Sequence, residues 1–144
     1  LESQRLLIPV VMELPPAERE ALVSKAEALS RFGFEVEEFG GDSIKVTSMP
    51  ALLPVDECDA ALRALANDLE GLDRGLRLED SLKQIAATTA CHAAVKAHYP
   101  LTLEKMHHIL EELRATAYST VCPHGRPVML RITRREIEKN FDRI

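Results

Sequence analysis

The hexamer Cys122-Pro123-His124-Gly125-Arg126-Pro127 restricts the path of this chain more than any other stretch. Pro123 and Pro127 each hold φ near about −65° and lack an amide donor, so neither a helix nor an interior strand runs through them. Gly125 lets the backbone bend where a side chain would clash. The segment reads as a rigid turn at which the neighbouring elements must stop. It also sets a thiol and an imidazole two residues apart. On extended backbone, positions i and i+2 face the same side, which would let Cys122 and His124 grip one cation. Sulfur with imidazole suits zinc better than magnesium or calcium. Two ligands do not complete a site, and a bare Cys-x-His pair also occurs with no metal role.

The 144 residues are enough for one ordinary domain or two small lobes sharing a core. Apolar residues make up 46% and charged residues 28%, a globular balance without extended disorder. The net charge of −5 leaves no basic footprint for gripping a nucleic acid backbone, which argues against a self-sufficient DNA-binding module. Three cysteines, an odd count, without a signal peptide point to a reducing, cytoplasmic setting. No apolar run approaches the roughly 18 to 20 residues of a membrane span. The opening Leu1-Glu2-Ser3-Gln4, with no initiator Met, leads us to expect a fragment of a longer protein.

An apolar run at residues 5–12 predicts a buried strand, interrupted at Pro9 where a ladder donor is missing. Pro15 and Pro16, followed by Glu18 and Glu20, open a helix with Leu22, Ala26 and Leu29 on one stripe, and Gly33 ends it. Residues 34–37 and 44–47 alternate like strands around Gly40-Gly41, which is a hairpin, and residues 49–54 read as a loop. Asp56 is positioned to cap a second helix carrying Ala61, Leu62, Leu65, Leu69 and Leu72, with Cys58 near its start as a small packed or partly exposed residue. Arg74-Gly75-Leu76 breaks the chain. Residues 78–97 then form a long helix of small side chains, apt for close approach by another element. Thr102 caps a helix bearing Leu103, Met106, Leu110 and Leu113. His107 and His108 diverge by about 100° on that helix and cannot easily share an ion. Residues 128–133 read as a strand and 134–141 as a closing helix. The fold class is α+β. The partition we expect joins 1–12 with 78–144 and sets 13–73 apart as a helix-hairpin-helix lobe.

Three motifs occur in a fixed order: Ala90-Cys91-His92 on the long helix, the Cys122–Pro127 hexamer, and Phe141-Asp142-Arg143 near the end. Together they resemble the C-terminal domain of the MutL family of DNA mismatch repair proteins. The resemblance implies a homodimer and a metal set of Cys91, Cys122 and His124 holding zinc. It also implies a latent DNA-nicking endonuclease, with manganese or magnesium as further candidates for the nicking step. His92 stands where the family often has Arg, which puts any anion-pairing role there in doubt. His92, Arg126, Phe141 and Arg143 are carried as motif residues. Apart from the family, an isolated cysteine on an alanine-rich helix reads as core, Arg126 as a satisfied surface residue and Phe141 as a packed one.

The family's nuclease signature, a helix beginning Asp-Gln-His-Ala, matches nothing between Leu1 and Ile144. In family order it would fall before Leu1. No catalytic residue is therefore assigned within this chain. Residues 4–9, Gln-Arg-Leu-Leu-Ile-Pro, fit Gln-x-x-Leu-x-Pro, a pattern similar to peptides that dock on the bacterial sliding clamp. Gln4, Leu7, Ile8 and Pro9 would make that contact. A core strand preceded by a polar residue accounts for the same pattern. The resemblance further implies partnership with the mismatch-recognition protein MutS through the full-length protein, and only transient contact with DNA. Three readings stay open: part of a nicking endonuclease, a non-catalytic dimerisation and clamp-recruitment module with a structural zinc, and an unrelated metal-sensing or redox domain.

Overall fold

A computed structural model of the chain describes residues 2–70 and 78–142. Leu72, the 74–76 break and Arg143 lie outside the described residues. The elements run β1 (Ser3–Glu13), α1 (Pro16–Ser24), α2 (Ala26–Arg31), β2 (Glu35–Glu38), β3 (Ser43–Pro50), a 3-10 turn (Val55–Glu57), α3 (Cys58–Glu70), α4 (Leu78–Ala93), α5 (Leu103–Ala115) and α6 (Arg134–Asn140). The class is α+β, with one antiparallel sheet of order β1-β3-β2.

Two compact units emerge, Leu1–Lys96 and Ala97–Ile144. The first is built on β3, the central strand, where Ile44, Val46 and Ser48 alternate inward with the period of two that a half-covered sheet dictates. Met12 from β1, Leu22 from α1, Leu29 from α2 and the Leu62, Leu65 and Leu69 stripe of α3 meet there, around fully buried Phe34. α1 packs on α3, and α3 on α4. The sequence-based partition separates 1–12 from 13–73. In the structure β1 pairs with β3, from Ser3 opposite Pro50 to Glu13 opposite Ser43, so both segments share one sheet and one unit.

Several local expectations change. The expected first helix is divided at Lys25, where φ −109° and ψ 16° separate α1 from α2. Asp56 sits inside the 3-10 turn instead of capping α3. β3 runs to Pro50, into the expected loop. α4 ends at Ala93, four residues before the expected end. Its buried face is not alanine but Ser81, Ile85, Thr88 and Thr89, and Thr88 Oγ1 donates to Asp68 Oδ2 at 2.7 Å. Gly33 adopts φ +93°, and a Cβ there would lie 3.0 Å from the Ser3 Cβ and 3.4 Å from the Pro50 backbone, so glycine is required twice over.

The second unit contains α5, the hexamer turn and α6. Thr102 caps α5 by accepting from the Lys105 amide at 3.3 Å, as its sequence predicts. A capping box between Thr133 and Glu136 starts α6. The expected strand at 128–133 does not form: the described bridge nearest to it joins Val121 and Pro127, just before that stretch. A strand needs a partner ladder, and this stretch finds only one rung, from the Val128 amide to the Thr120 carbonyl at 2.9 Å. Among the described residues of this unit none is fully buried, and Leu103, Met106, Leu110, Leu130 and Ile132 all face outward.

Candidate metal centre

The hexamer folds as a closed loop, not as the extended segment expected from its spacing. The Gly125 amide donates to the Cys122 carbonyl at 2.8 Å, and the Cys122 amide donates to the Arg126 carbonyl at 2.8 Å. Pro123 occupies the second position of this turn, where its fixed φ is already correct, and Gly125 takes φ +78°. The Val121–Pro127 bridge ties the two stems together. Two backbone bonds within five residues hold the half-buried Cys122 and the exposed His124 on one small rigid loop. Ligand atoms of Cys122 and His124 lie within 4.8 Å of each other. Two corners of a tetrahedral zinc site, with bonds of roughly 2.3 Å to sulfur and 2.0 Å to nitrogen, stand about 3.5 Å apart. The donor set fits a zinc ion.

Cys91 is half-buried on the last turn of α4, in the first unit. Its neighbour His92 accounts for itself locally. The His92 Nδ1 lies 3.1 Å from Glu57 Oε2, and the other oxygen of that carboxylate meets Lys96 Nζ at 2.6 Å. Bonding to Lys96 first, then to His92, holds the Glu57 carboxyl below the usual carboxylate range. Nothing in the local sequence marks Glu57, because its partners come 35 and 39 residues later in the chain (92 − 57 and 96 − 57).

The remaining motif residues are surface features. Arg126 is exposed, and Phe141 is 74% exposed, not the packed residue expected. Cys58 is fully buried, which selects the packed of its two readings. His107 and His108 are both exposed.

The docking pattern in β1 takes an unexpected form. Arg5 pairs with Ser48 and Val10 with Val46, so the four residues 6–9 stand opposite Thr47 alone. The strand bulges there, at the proline whose missing donor would interrupt the ladder. Leu7, Ile8 and Pro9 are pushed outward, with Leu7 fully exposed and Ile8 83% exposed. The buried strand expected over 5–12 is thus buried only at Met12. Gln4 is engaged within the chain: its Nε2 donates to the Leu53 carbonyl at 2.9 Å and to that of Pro50 at 3.3 Å.

An α+β unit followed by a unit bearing a thiol–imidazole turn is the class defined so far. The chain matches the MutL C terminal dimerisation domain over residues 1–101. It is 40% identical over 144 residues to a DNA mismatch repair protein MutL of Koribacter versatilis, a match covering all of this chain and 22% of that relative. It is 41% identical over 143 residues to the MutL of Rhodopseudomonas palustris, covering 99% of this chain and 24% of the relative. Identity to the MutL of Caulobacter vibrioides is 39% over 140 residues, covering 97% and 22%. This chain belongs to the MutL C-terminal dimerisation domain family. It spans 22% to 24% of the length of these relatives. No helix among the described residues is long and apolar enough to cross a membrane.

Proposed function

We propose that this chain is the pairing and metal-holding part of a DNA mismatch repair protein, contributing zinc ligands to a DNA-nicking centre whose carboxylates lie elsewhere in the full-length protein. The observation that carries this reading is the Cys122–His124 turn, two soft donors on one rigid loop, in a chain of the MutL family. Cys91 would be the third ligand. Zinc held there supplies a Lewis acid beside a phosphodiester. The chain's own part is to hold it: two thiolates and one imidazole, with the turn fixing the spacing of two of them. No catalytic residue is assigned here.

Pairing of two copies is supported by the family and by the exposed apolar side chains of α5, Leu103, Met106 and Leu110, which favour the 78–144 part of the chain as the contact surface. On this reading the outward, regulatory part is 13–73 together with β1, which pairs with β3 in the same sheet. The net charge of −5 fits a chain to which DNA is delivered by others and held only transiently. MutS partnership and a cytoplasmic setting follow from the same reading. The bulge at residues 6–9 presents Leu7 and Ile8 to a sliding clamp, in keeping with a groove that takes extended apolar peptides.

The test is zinc stoichiometry together with plasmid nicking by the full-length protein. Cys122→Ser and His124→Ala should lose the bound zinc and the nicking together, while leaving the dimer intact. Nicking that persists in both variants would refute the endonuclease reading. A dimer that binds zinc, does not nick, and has no Asp-Gln-His-Ala helix in its parent sequence would instead establish the non-catalytic module with a structural zinc.

A further inference from the structure

Helix ends fray, because their last carbonyls have no partner within the helix. Cys91 lies two residues before the end of α4, in the turn least protected by the helix itself. The structure supplies an external brace at that point. Glu57 bridges His92, in the final helical turn, and Lys96, just past it, using both carboxylate oxygens. Glu57 itself is well anchored. Its amide donates to the Pro54 carbonyl at 3.0 Å, and the next residue, Cys58, is fully buried in the core.

We infer that Glu57 is a positioning residue: by clamping His92 and Lys96 it fixes the α4 terminus and so presents the Cys91 thiolate in one orientation. This rests on the proposed ligand role of Cys91. The residue type suits the task, since one carboxylate accepts from two donors at once and each charge-assisted bond is stronger than a neutral one. The two partners approach from one side of the helix end, and Glu57 on the 3-10 turn faces both.

The experiment compares the full chain with Glu57→Ala, Glu57→Gln and Cys91→Ser. Two measurements are made: hydrogen exchange at the α4 end, and zinc affinity by chelator competition, with the cobalt-substituted spectrum as a signature of thiolate ligation. Glu57→Ala should speed exchange of the Ala94 amide, which bonds to the Ala90 carbonyl, while Ile85 in mid-helix stays protected. It should also weaken zinc by about tenfold, the lower end of what losing a supporting partner costs, and dim the thiolate-to-cobalt band. Glu57→Gln, which keeps an acceptor, should recover part of both. Unchanged exchange at Ala94 would overturn the brace outright. Faster exchange with unaltered zinc affinity would overturn its link to the metal, provided Cys91→Ser still weakens zinc. If Cys91→Ser leaves affinity untouched, the ligand assignment is what has failed, and the inference falls with it.

Discussion

The amide of Gly125 donates to the carbonyl of Cys122 at 2.8 Å, one of two backbone bonds that close the loop carrying Cys122 and His124, the two proposed ligands of the second unit. Its geometry depends on φ +78° at Gly125, a conformation L side chains rarely adopt. A Cβ there meets nothing within 4 Å, so the cost of substitution is purely conformational.

Gly125→Val is accordingly expected to strain the turn by roughly 1 to 2 kcal/mol and to spread Cys122 from His124. Chelator competition should read weaker zinc binding, with the melting of the first unit unaltered. Zinc binding equal to the parent chain would show that the turn does not set the ligand spacing.

In β1 the structure separates side chains that the docking pattern groups together. Leu7 and Ile8 project from the bulge, whereas the Gln4 amide is bonded to Leu53 and Pro50. Leu7→Ala with Ile8→Ala should leave stability within about 0.5 kcal/mol and abolish retention on immobilised sliding clamp. Gln4→Ala should cost about 1 kcal/mol in urea unfolding, because it strips two carbonyls of a donor. Clamp retention undiminished in the double variant would remove the docking reading.

Cys58 offers a pH dependence of defined sign. Burial first, and then the neighbouring Asp59 carboxylate, push its thiol from 9.0 up to about 11. Between those values the unfolded chain releases the proton and the folded chain keeps it. Its contribution is therefore full below pH 9 and is lost as pH rises toward 11. Urea midpoints should fall more steeply from pH 8 to 10 in the parent chain than in Cys58→Ala. At pH 8 a thiol reagent should leave Cys58 unmodified until denaturant is added. Equal slopes for the two chains would contradict the assignment.

Phe34 is fully buried at the centre of the first unit. Phe34→Ala should destabilise by about 3 to 5 kcal/mol, read from urea unfolding, which is a large share of an ordinary domain's stability. Leu103→Ala on exposed α5 should change the same measurement by less than about 0.5 kcal/mol while altering sedimentation, if that face pairs two copies.

Local periodicity made the helices and the hairpin readable before any coordinates. Leu62, Leu65 and Leu69 recur at helical spacing, and all three are buried. Turn chemistry was equally legible at Gly33, at Gly125 and at the Thr102 cap. Periodicity describes a face and says nothing about its partner. The apolar stretch at 128–133 reads as a strand, yet the one rung described there joins the Val128 amide to the Thr120 carbonyl. β1 finds β3 across some forty residues, a pairing absent from either segment taken alone. The division at Lys25 involves neither proline nor glycine, so no breaker announces it. The thiol–imidazole spacing in the hexamer was visible in the letters. Its closed-loop form was not, because the two cross-loop backbone bonds depend on Val121 and Pro127 coming together. The Glu57 bridge was invisible for the same reason, its three members being scattered over 40 positions (57 to 96).

The bulge at residues 6–9 has an evolutionary corollary. Leu7 contributes no packing to the interior, so substitutions at that spot are not filtered by the need to stay folded, and under the proposed docking role binding alone would filter them. On that proposal a lineage would retune its affinity for the partner one side chain at a time, with the scaffold indifferent to each step.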